Sequence, residues 1–286
     1  MRDGDCFLSG RWFVCRASRM VWVWCLVAVV AFSPVVAAQG WATLDVRGGA
    51  GTASRRIPLF AGKPPADLAP LIKAGNVTIA FHDPKQAQDI GAGGRARFHF
   101  KTHEKYRYSY KWNRRDGKLL LDVTPAVTDV DMELTHTIKI PIHYNRRGMW
   151  NRRLVRHEFD HVAISTDPRA YLLLKHLFLQ MGTIHGEFDD TDQDKEELVC
   201  KLLKDEIDRR RDAVRKLIGD NYKLLDDVSA HGKRRIGHRI DFFKRLYTKE
   251  NLHEMKFPYL PEVLDVLESE EYAKARLYYS ARPIMP

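Results

Sequence analysis

The sequence is poor in cysteine. It has four cysteines in 286 residues, and Cys6, Cys15 and Cys25 all lie near the N-terminus. Beyond them only Cys200 remains, in an apolar helical pattern typical of a buried small hydrophobe. A chain that begins after residue 38 therefore has no intramolecular disulfide, and its stability must come from a packed core or a bound metal.

Long apolar runs are also scarce. The clearest uncharged run, Val21–Phe32, follows an arginine-bearing segment and precedes the small-residue pattern formed by Val36 and Ala38. It is shorter than the ~20 residues that a membrane-spanning helix needs. We therefore predict a signal peptide over residues 1–38, cleaved after Ala38, with an uncleaved anchor as the alternative. A secreted or periplasmic protein without a membrane span after cleavage is expected.

No nucleic-acid motif accompanies the basic charge of the chain. The formal net charge is +10, and removal of the four Arg and two Asp of the predicted signal peptide leaves +8. The basic residues are spread along the chain, with short clusters at Arg209–Arg211 and Lys233–Arg235. Export argues against nucleic acid as a partner. An anionic envelope polymer, a lipid surface or a merely solvated basic surface remain as interpretations.

The first half of the chain after the signal region has the pattern of a β structure. Residues 39–75 are irregular in composition, with a strand expected near Trp41, whereas residues 76–148 alternate between apolar and polar side chains. Tyr106–Trp112 alternates with period two, and Asp116-Gly117 predicts a hairpin turn after it. Further strands are predicted at Val77–Phe81, Arg95–His103, Lys118–Val123 and Glu133–Ile140.

The last of these strands ends at Pro141, which predicts an edge position in the sheet. An edge strand beside an active site can bind an extended peptide by β-augmentation.

The second half, residues 149–286, turns to helical periodicity. A first helix is predicted over Trp150–Ser165, and Asp167-Pro168 has the pattern of a cap and first turn of a second. A long third helix is expected to begin after Thr191 or Asp192 and to be broken at Gly219–Asn221. A small antiparallel sheet followed by helices is the predicted α+β order, and residues 76–286 are expected to form one catalytic-type domain.

The first predicted helix contains the spacing H-E-x-x-H. His157 and His161 are four residues apart, so both face the same side of a helix and can bind one metal ion. Glu158 stands beside the metal, where it can take a proton from an activated water and return it to a leaving amine. Zinc suits these ligands. The alternative is a charged surface helix in which Glu158 and Asp160 neutralise neighbouring arginines.

The third metal ligand is not fixed by the motif. Asp167 lies six residues after His161, the spacing of metzincin-type enzymes, but Ile164 stands where those enzymes need glycine for the return turn. Asp167 is also explained as a helix cap. His231, in Ser229-Ala-His-Gly232 at the end of the long helical stretch, is the better candidate, because a helix terminus fixes its imidazole at a corner.

The order of these features resembles a bacterial family of predicted secreted zinc-dependent proteases, domain-of-unknown-function family 922. The resemblance implies a signal peptide, a small β region, a zincin-like H-E-x-x-H helix and a helical stretch ending in a motif like Y-D-x-E-T-x-H-G. The counterpart here reads Leu225-Asp-Asp-Val-Ser-Ala-His-Gly232. Its first Asp, His and Gly match, Ser replaces Thr, and Leu and Val replace Tyr and Glu.

The sequence thus predicts an exported zinc metallopeptidase acting on a peptide or protein. Its zinc ligands would be His157, His161 and His231, or less favourably Asp167, with Glu158 as general base. The alternative is a non-catalytic envelope protein on a zincin-like scaffold that binds anionic polymers or lipids.

Overall fold

The computed structural model describes residues 62–85, 93–189 and 194–275. The predicted signal peptide, the predicted strand near Trp41 and the predicted third-helix caps Thr191 and Asp192 lie outside these ranges.

The described chain is a mixed α+β structure, as the sequence predicts. In chain order its elements are α1 (Ala69–Ala74), β1 (Val77–His82), β2 (Arg95–Arg115), β3 (Lys118–Pro141), α2 (Arg153–Ser165), α3 (Pro168–Leu179), β4 (Ile184–Asp189), α4 (Lys195–Ser229), α5 (Arg239–Arg245), α6 (Lys249–Glu254), α7 (Leu264–Leu267) and α8 (Glu270–Ala273), with short 3₁₀ turns at Ile142–Tyr144, Met149–Asn151 and Pro261–Val263.

A long antiparallel hairpin forms most of the sheet. Strand β2 pairs along its whole length with Lys118–Lys139 of β3, with one bulge between Lys105 and Tyr106. The predicted turn is confirmed. Asp116 and Gly117 connect the strands with φ values of 53° and 73°, and a tight hairpin turn requires such left-handed backbone.

The prediction that Glu133–Ile140 is an edge strand is wrong. This part of β3 pairs in parallel with β1 on one side and antiparallel with β2 on the other, so the sheet is mixed and the prediction of an antiparallel sheet is also wrong. Pro141 closes the strand opposite His82. A proline at the very end of a strand leaves the preceding ladder intact, so it does not require an edge. Because both sides of this part of β3 are already paired, a peptide cannot bind to Glu133–Ile140 by β-augmentation.

Two short elements depart from the predicted division into β and helical regions. Helix α1 lies in the segment expected to be irregular, and β4 lies in the region expected to be helical. Strand β4 pairs with Lys118–Val123 of β3. Its six residues give too short an alternation of apolar and polar side chains to be recognised as a strand between two helical patterns.

Helices cover one face of the sheet. Along β2 the side chains of Phe98 and Phe100 point to this face, whereas those of Arg97, His99 and Lys101 are exposed on the other. The core between sheet and helices includes Phe81, Ile138, Phe159, Leu173, Phe178 and Leu217. No helix in the described ranges is long and apolar enough to cross a membrane.

Helix α4 runs without interruption through Gly219–Asn221, so the predicted break there is wrong. Asn221 is buried and accepts a hydrogen bond from the side chain of Asn251 at 3.0 Å. This tertiary contact offsets the low helix propensity of asparagine. The helix ends in a left-handed residue, Ala230. Its uninterrupted course carries residues 222–229 to the H-E-x-x-H helix.

Candidate metal centre

Helix α2 presents two histidines on one side. His157 and His161 are both buried, and their rings lie 4.7 Å apart between centroids. The Nε2 atoms of both rings approach one oxygen, Oδ1 of Asp226, at 3.0 Å and 3.3 Å. The predicted helical spacing thus brings the two histidines together.

Asp226 comes from the last turns of α4. Burial favours a raised pKa for this carboxyl, but the hydrogen bonds from His157 and His161 outweigh it and hold the pKa well below its usual range. The side chain is therefore a carboxylate facing two imidazoles, a combination of charge and donor atoms that suits a divalent metal.

The geometry of this group fits a metal ion. Ligand atoms of His157, His161 and Asp226 all lie within 4.8 Å of one another. Tetrahedral zinc ligands at about 2.0–2.1 Å lie roughly 3.3 Å apart, close to the two histidine–aspartate distances. The group can hold a metal ion, although histidine and carboxylate ligands alone do not determine which one.

Glu158 is buried next to this group, with only 2% of its surface exposed. The backbone N–H of Ala96 donates a hydrogen bond to its carboxylate. Within the described ranges Oε2 has no hydrogen-bond partner. Burial raises the pKa of Glu158 to about 7, although the nearby His157 opposes the rise. A general base that works near neutral pH needs a pKa in this range.

The start of β2 lies directly against Glu158. A Cβ placed on Gly94 would lie 2.4 Å from Oε1 of Glu158, so a side chain at this position would displace the carboxylate or the strand. The glycine therefore allows the close approach that brings the Ala96 N–H to Glu158.

The structure places His231 beside this group and not within it. Its side chain is 76% exposed, and its Nδ1 lies 3.6 Å from Oδ1 of Asp226. Ala230, His231 and Gly232 all have positive φ, which is costly for the first two. Gly232 is required here, because a Cβ would lie 2.8 Å from Cγ of His157. The third member of the group in the structure is Asp226. The sequence analysis instead predicts His231 as the third metal ligand.

Asp167 does not join the group. It caps α3 by accepting a hydrogen bond from the N–H of Arg169 at 2.9 Å, so the interpretation as a helix cap is confirmed. Its carboxylate also forms a buried ion pair with Arg169 at 2.6 Å. Arg169 in turn donates to the carbonyls of Phe243 and Lys244.

The other buried charged residues of α2 also form ion pairs, but not with one another. Asp160 is buried and pairs with Arg239, and Arg156 pairs with Asp67. Both partners come from distant parts of the chain. Helix α2 is therefore not a surface helix neutralised by its own arginines, as the alternative interpretation of the motif required.

A series of hydrogen-bonded polar side chains packs against His161 of the metal-binding group. The ring of Tyr222 packs on His161 at 4.5 Å, and its hydroxyl donates to Oγ of Ser165 at 3.0 Å. Ser165 lies 2.5 Å from Nε2 of His136, whose Nδ1 lies 2.6 Å from the carbonyl of Gly75. Burial lowers the pKa of His136, so the ring is neutral and donates to Gly75 while accepting from Ser165.

The short basic cluster Arg209–Arg211 is neutralised within the chain. Arg209 pairs with Glu206 at 2.7 Å, Arg210 pairs with Glu206 at 2.6 Å and with Glu262 at 2.7 Å, and Arg211 pairs with Asp208 at 2.5 Å. This cluster offers little uncompensated charge to an anionic polymer.

Sequence reasoning missed Asp226 as a metal-site residue. The available signal was its position five residues before His231, in the segment matched to the Y-D-x-E-T-x-H-G motif. Gly94 and Ala96 were also missed, because a contact between a strand and the H-E-x-x-H helix leaves no local pattern.

Comparisons of the chain with protein-family models, curated proteins and solved structures gave no match. The resemblance described above therefore stays a prediction.

Proposed function

We propose that the protein is an exported zinc-dependent metallopeptidase of zincin-like architecture. The proposal rests on one arrangement: the buried Glu158, whose Oε2 has no hydrogen-bond partner among the described residues, lies beside His157, His161 and Asp226. A buried carboxylate oxygen without a partner is costly, so it is expected where it has a functional role.

Metal binding and proton transfer belong to different residues of the site. His157, His161 and Asp226 would hold the metal, which when bound polarises a carbonyl and lowers the pKa of water. Glu158 accepts a proton from the attacking water through Oε2 and donates it to the leaving amine. The Ala96 N–H and the close packing of Gly94 hold the Glu158 carboxylate in one orientation.

The first measurement is the metal content of a purified chain that comprises residues 39–286. We expect about one zinc per chain, lost in the His157→Ala/His161→Ala double variant. Unfolded casein then serves as a substrate, with products identified by mass spectrometry.

The Glu158→Gln variant separates metal binding from catalysis. It should keep its zinc and lose at least about a hundredfold in turnover, since a general base contributes roughly 10²–10⁴. Glu187→Gln, at an exposed position on β4, is the matched control and should cleave like the parent chain. Equal cleavage by Glu158→Gln and the parent chain would overturn the assigned base.

The non-catalytic alternative makes a different prediction in the same experiment. Zinc bound at full stoichiometry with no cleavage, together with salt-sensitive binding to an anionic polymer, would favour an envelope-binding protein.

A further inference from the structure

Four exposed arginines lie on the short connection between β3 and α2. They form an arginine patch, which consists of Arg146, Arg147, Arg152 and Arg153. Within the described ranges none of the four forms an ion pair, whereas the neighbouring Arg156 is buried and pairs with Asp67. The sequence has no acidic residue between Glu133 and Glu158 that could neutralise them locally. The arginine patch therefore differs from the cluster Arg209–Arg211, whose charges are paired with carboxylates.

Two buried residues hold the arginine patch in a compact shape. Met149 and Trp150 pack in the core between the two arginine pairs, and Nε1–H of Trp150 donates to the carbonyl of Gly62 at 3.1 Å. The N–H of Met149 donates to the carbonyl of Arg146 at 3.1 Å, and the N–H of Arg152 donates to the carbonyl of Met149 at 2.9 Å. Each of these turns brings Cα atoms three positions apart to within about 7 Å. The two arginine pairs therefore begin within about 14 Å of each other.

The electrostatics of this position are unfavourable for the chain itself. Arg152 is the N-cap of α2 and Arg153 is its first residue, and the first turn has neither an acidic residue nor a side-chain cap. The positive end of a helix dipole disfavours cations, and the four like charges also repel one another. Since these charges gain no ion pair within the described ranges, their grouping suits an anion outside the chain.

An exposed apolar residue accompanies the arginines. Ile142 is 39% exposed and begins the 3₁₀ turn Ile142–Tyr144, which directly precedes the arginine patch. A lipid surface accommodates both kinds of side chain, because guanidiniums bind headgroup phosphates and an apolar side chain enters the boundary with the acyl chains. A soluble polyanion offers a partner to the arginines alone. The combination therefore favours a lipid surface over a polymer.

We propose that the arginine patch, together with Ile142, docks the protein on an anionic phospholipid surface. The guanidiniums bind phosphates of the headgroups, and Ile142 inserts between them. His157 follows Arg153 by four residues, about 6 Å along α2, so docking holds the metal group close to the lipid. This surface goes beyond the proposed peptidase activity and does not depend on it.

Sedimentation with lipid vesicles tests the docking surface on the purified chain of residues 39–286. Vesicles of equal parts phosphatidylcholine and phosphatidylglycerol are compared with vesicles of phosphatidylcholine alone. Soluble polyphosphate is the polyanion without an apolar phase, and its binding is measured by calorimetry.

Two variants with the same net charge separate the patch from the overall charge of the chain. The arginine-patch variant is Arg146→Gln/Arg147→Gln/Arg152→Gln/Arg153→Gln. The matched control removes four exposed lysines elsewhere on the chain and is Lys101→Gln/Lys111→Gln/Lys201→Gln/Lys244→Gln. Unchanged zinc content and melting temperature in both variants show that they are folded.

We expect the parent chain and the lysine control to bind the anionic vesicles and not the neutral ones. The arginine-patch variant should bind at least about a hundredfold more weakly, because each basic residue near an anionic surface contributes about a factor of five. Ile142→Ser should weaken vesicle binding roughly fivefold and leave polyphosphate binding unchanged. Vesicle binding should also weaken from low to high salt.

Equal vesicle binding by the arginine-patch variant and the lysine control would overturn the patch as the docking surface. Binding of polyphosphate without binding of anionic vesicles would identify a soluble polyanion as the partner and overturn the lipid proposal. No binding of either probe by the parent chain would overturn it as well. None of these results bears on cleavage by Glu158, which the Glu158→Gln variant tests separately.

Discussion

Asp226 and His231 lie five positions apart on the chain and differ in their relation to the metal group. The carboxylate of Asp226 faces both α2 histidines, whereas the His231 ring is largely exposed and reaches only Asp226. A carboxylate that faces both histidines cannot be replaced by water without a large loss, but an exposed neighbour of that carboxylate can. The two residues are therefore expected to differ sharply in their effect on metal affinity.

Asp226→Ala should lower zinc affinity by at least about a hundredfold, because it removes one of three ligands and leaves two uncompensated imidazoles. His231→Ala should lower it by less than about tenfold. Competition with a chromogenic chelator measures both values. A larger loss in His231→Ala than in Asp226→Ala would restore His231 as the third ligand.

The sequence predicts the histidine pair and Glu158 because their relation is local. The spacing within one helix determines which residues share a side, and α2 contains the whole pattern. Asp226 is 69 positions from His157, and its role depends on how α4 crosses α2. His231, next to Gly232, has the stronger local signal, whereas the approach of Asp226 to both histidines exists only in the folded chain.

Two helices show that an aspartate at an N-cap can serve different purposes. Asp194 caps α4 at an exposed position, by accepting a hydrogen bond from the N–H of Glu196 at 3.0 Å. Asp167 caps α3 in the same way but is buried, and its ion pair with Arg169 joins α3 to the end of α5. Loss of Asp167 leaves a buried guanidinium without its carboxylate.

Asp167→Ala should destabilise the protein by about 3–5 kcal/mol, the typical loss when one partner of a buried ion pair is removed. Asp194→Ala should cost about 1 kcal/mol, the ordinary value for a cap. Urea unfolding of both variants measures the difference. Asp167→Ala should also keep its zinc, and a metal-free Asp167→Ala chain would instead support the metzincin-type ligand spacing.

Most strands and helices were predictable because their patterns are strong and local. The alternation in Tyr106–Trp112 and the Asp116-Gly117 turn determine the hairpin, and the structure confirms both. The position of each strand in the sheet was not predictable from these patterns. The edge prediction for Glu133–Ile140 failed because the pairing with β1 joins residues far apart in sequence.

Helix α4 also shows that a local sequence pattern does not predict structure that depends on tertiary packing. Its glycine, aspartate and asparagine at positions 219–221 have low helix propensity, and this local pattern predicts a break there. The helix continues because Leu217, Ile218 and Leu225 on both sides are buried in the core. Packing on either side of the weak segment outweighs its local preference.

The metal group joins parts of the molecule that separate when the chain unfolds. Helix α2 supplies His157 and His161, and the end of α4 supplies Asp226. A metal ion bound by both helices therefore favours the folded state, because the unfolded chain holds no preformed site. The buried core of the described chain is extensive, so the metal-free protein should fold and then gain stability from the metal.

Free zinc at about a thousand times its dissociation constant should add about 4 kcal/mol to the free energy of unfolding. For a chain of this size the melting temperature should rise by roughly 2–4 °C per kcal/mol, or about 8–16 °C in total. Differential scanning fluorimetry with and without zinc measures this shift. The shift should nearly vanish in Asp226→Ala and persist in His231→Ala. An equal shift in Asp226→Ala would mean that the stabilising metal binds elsewhere, and the His157–His161–Asp226 group would lose its assignment.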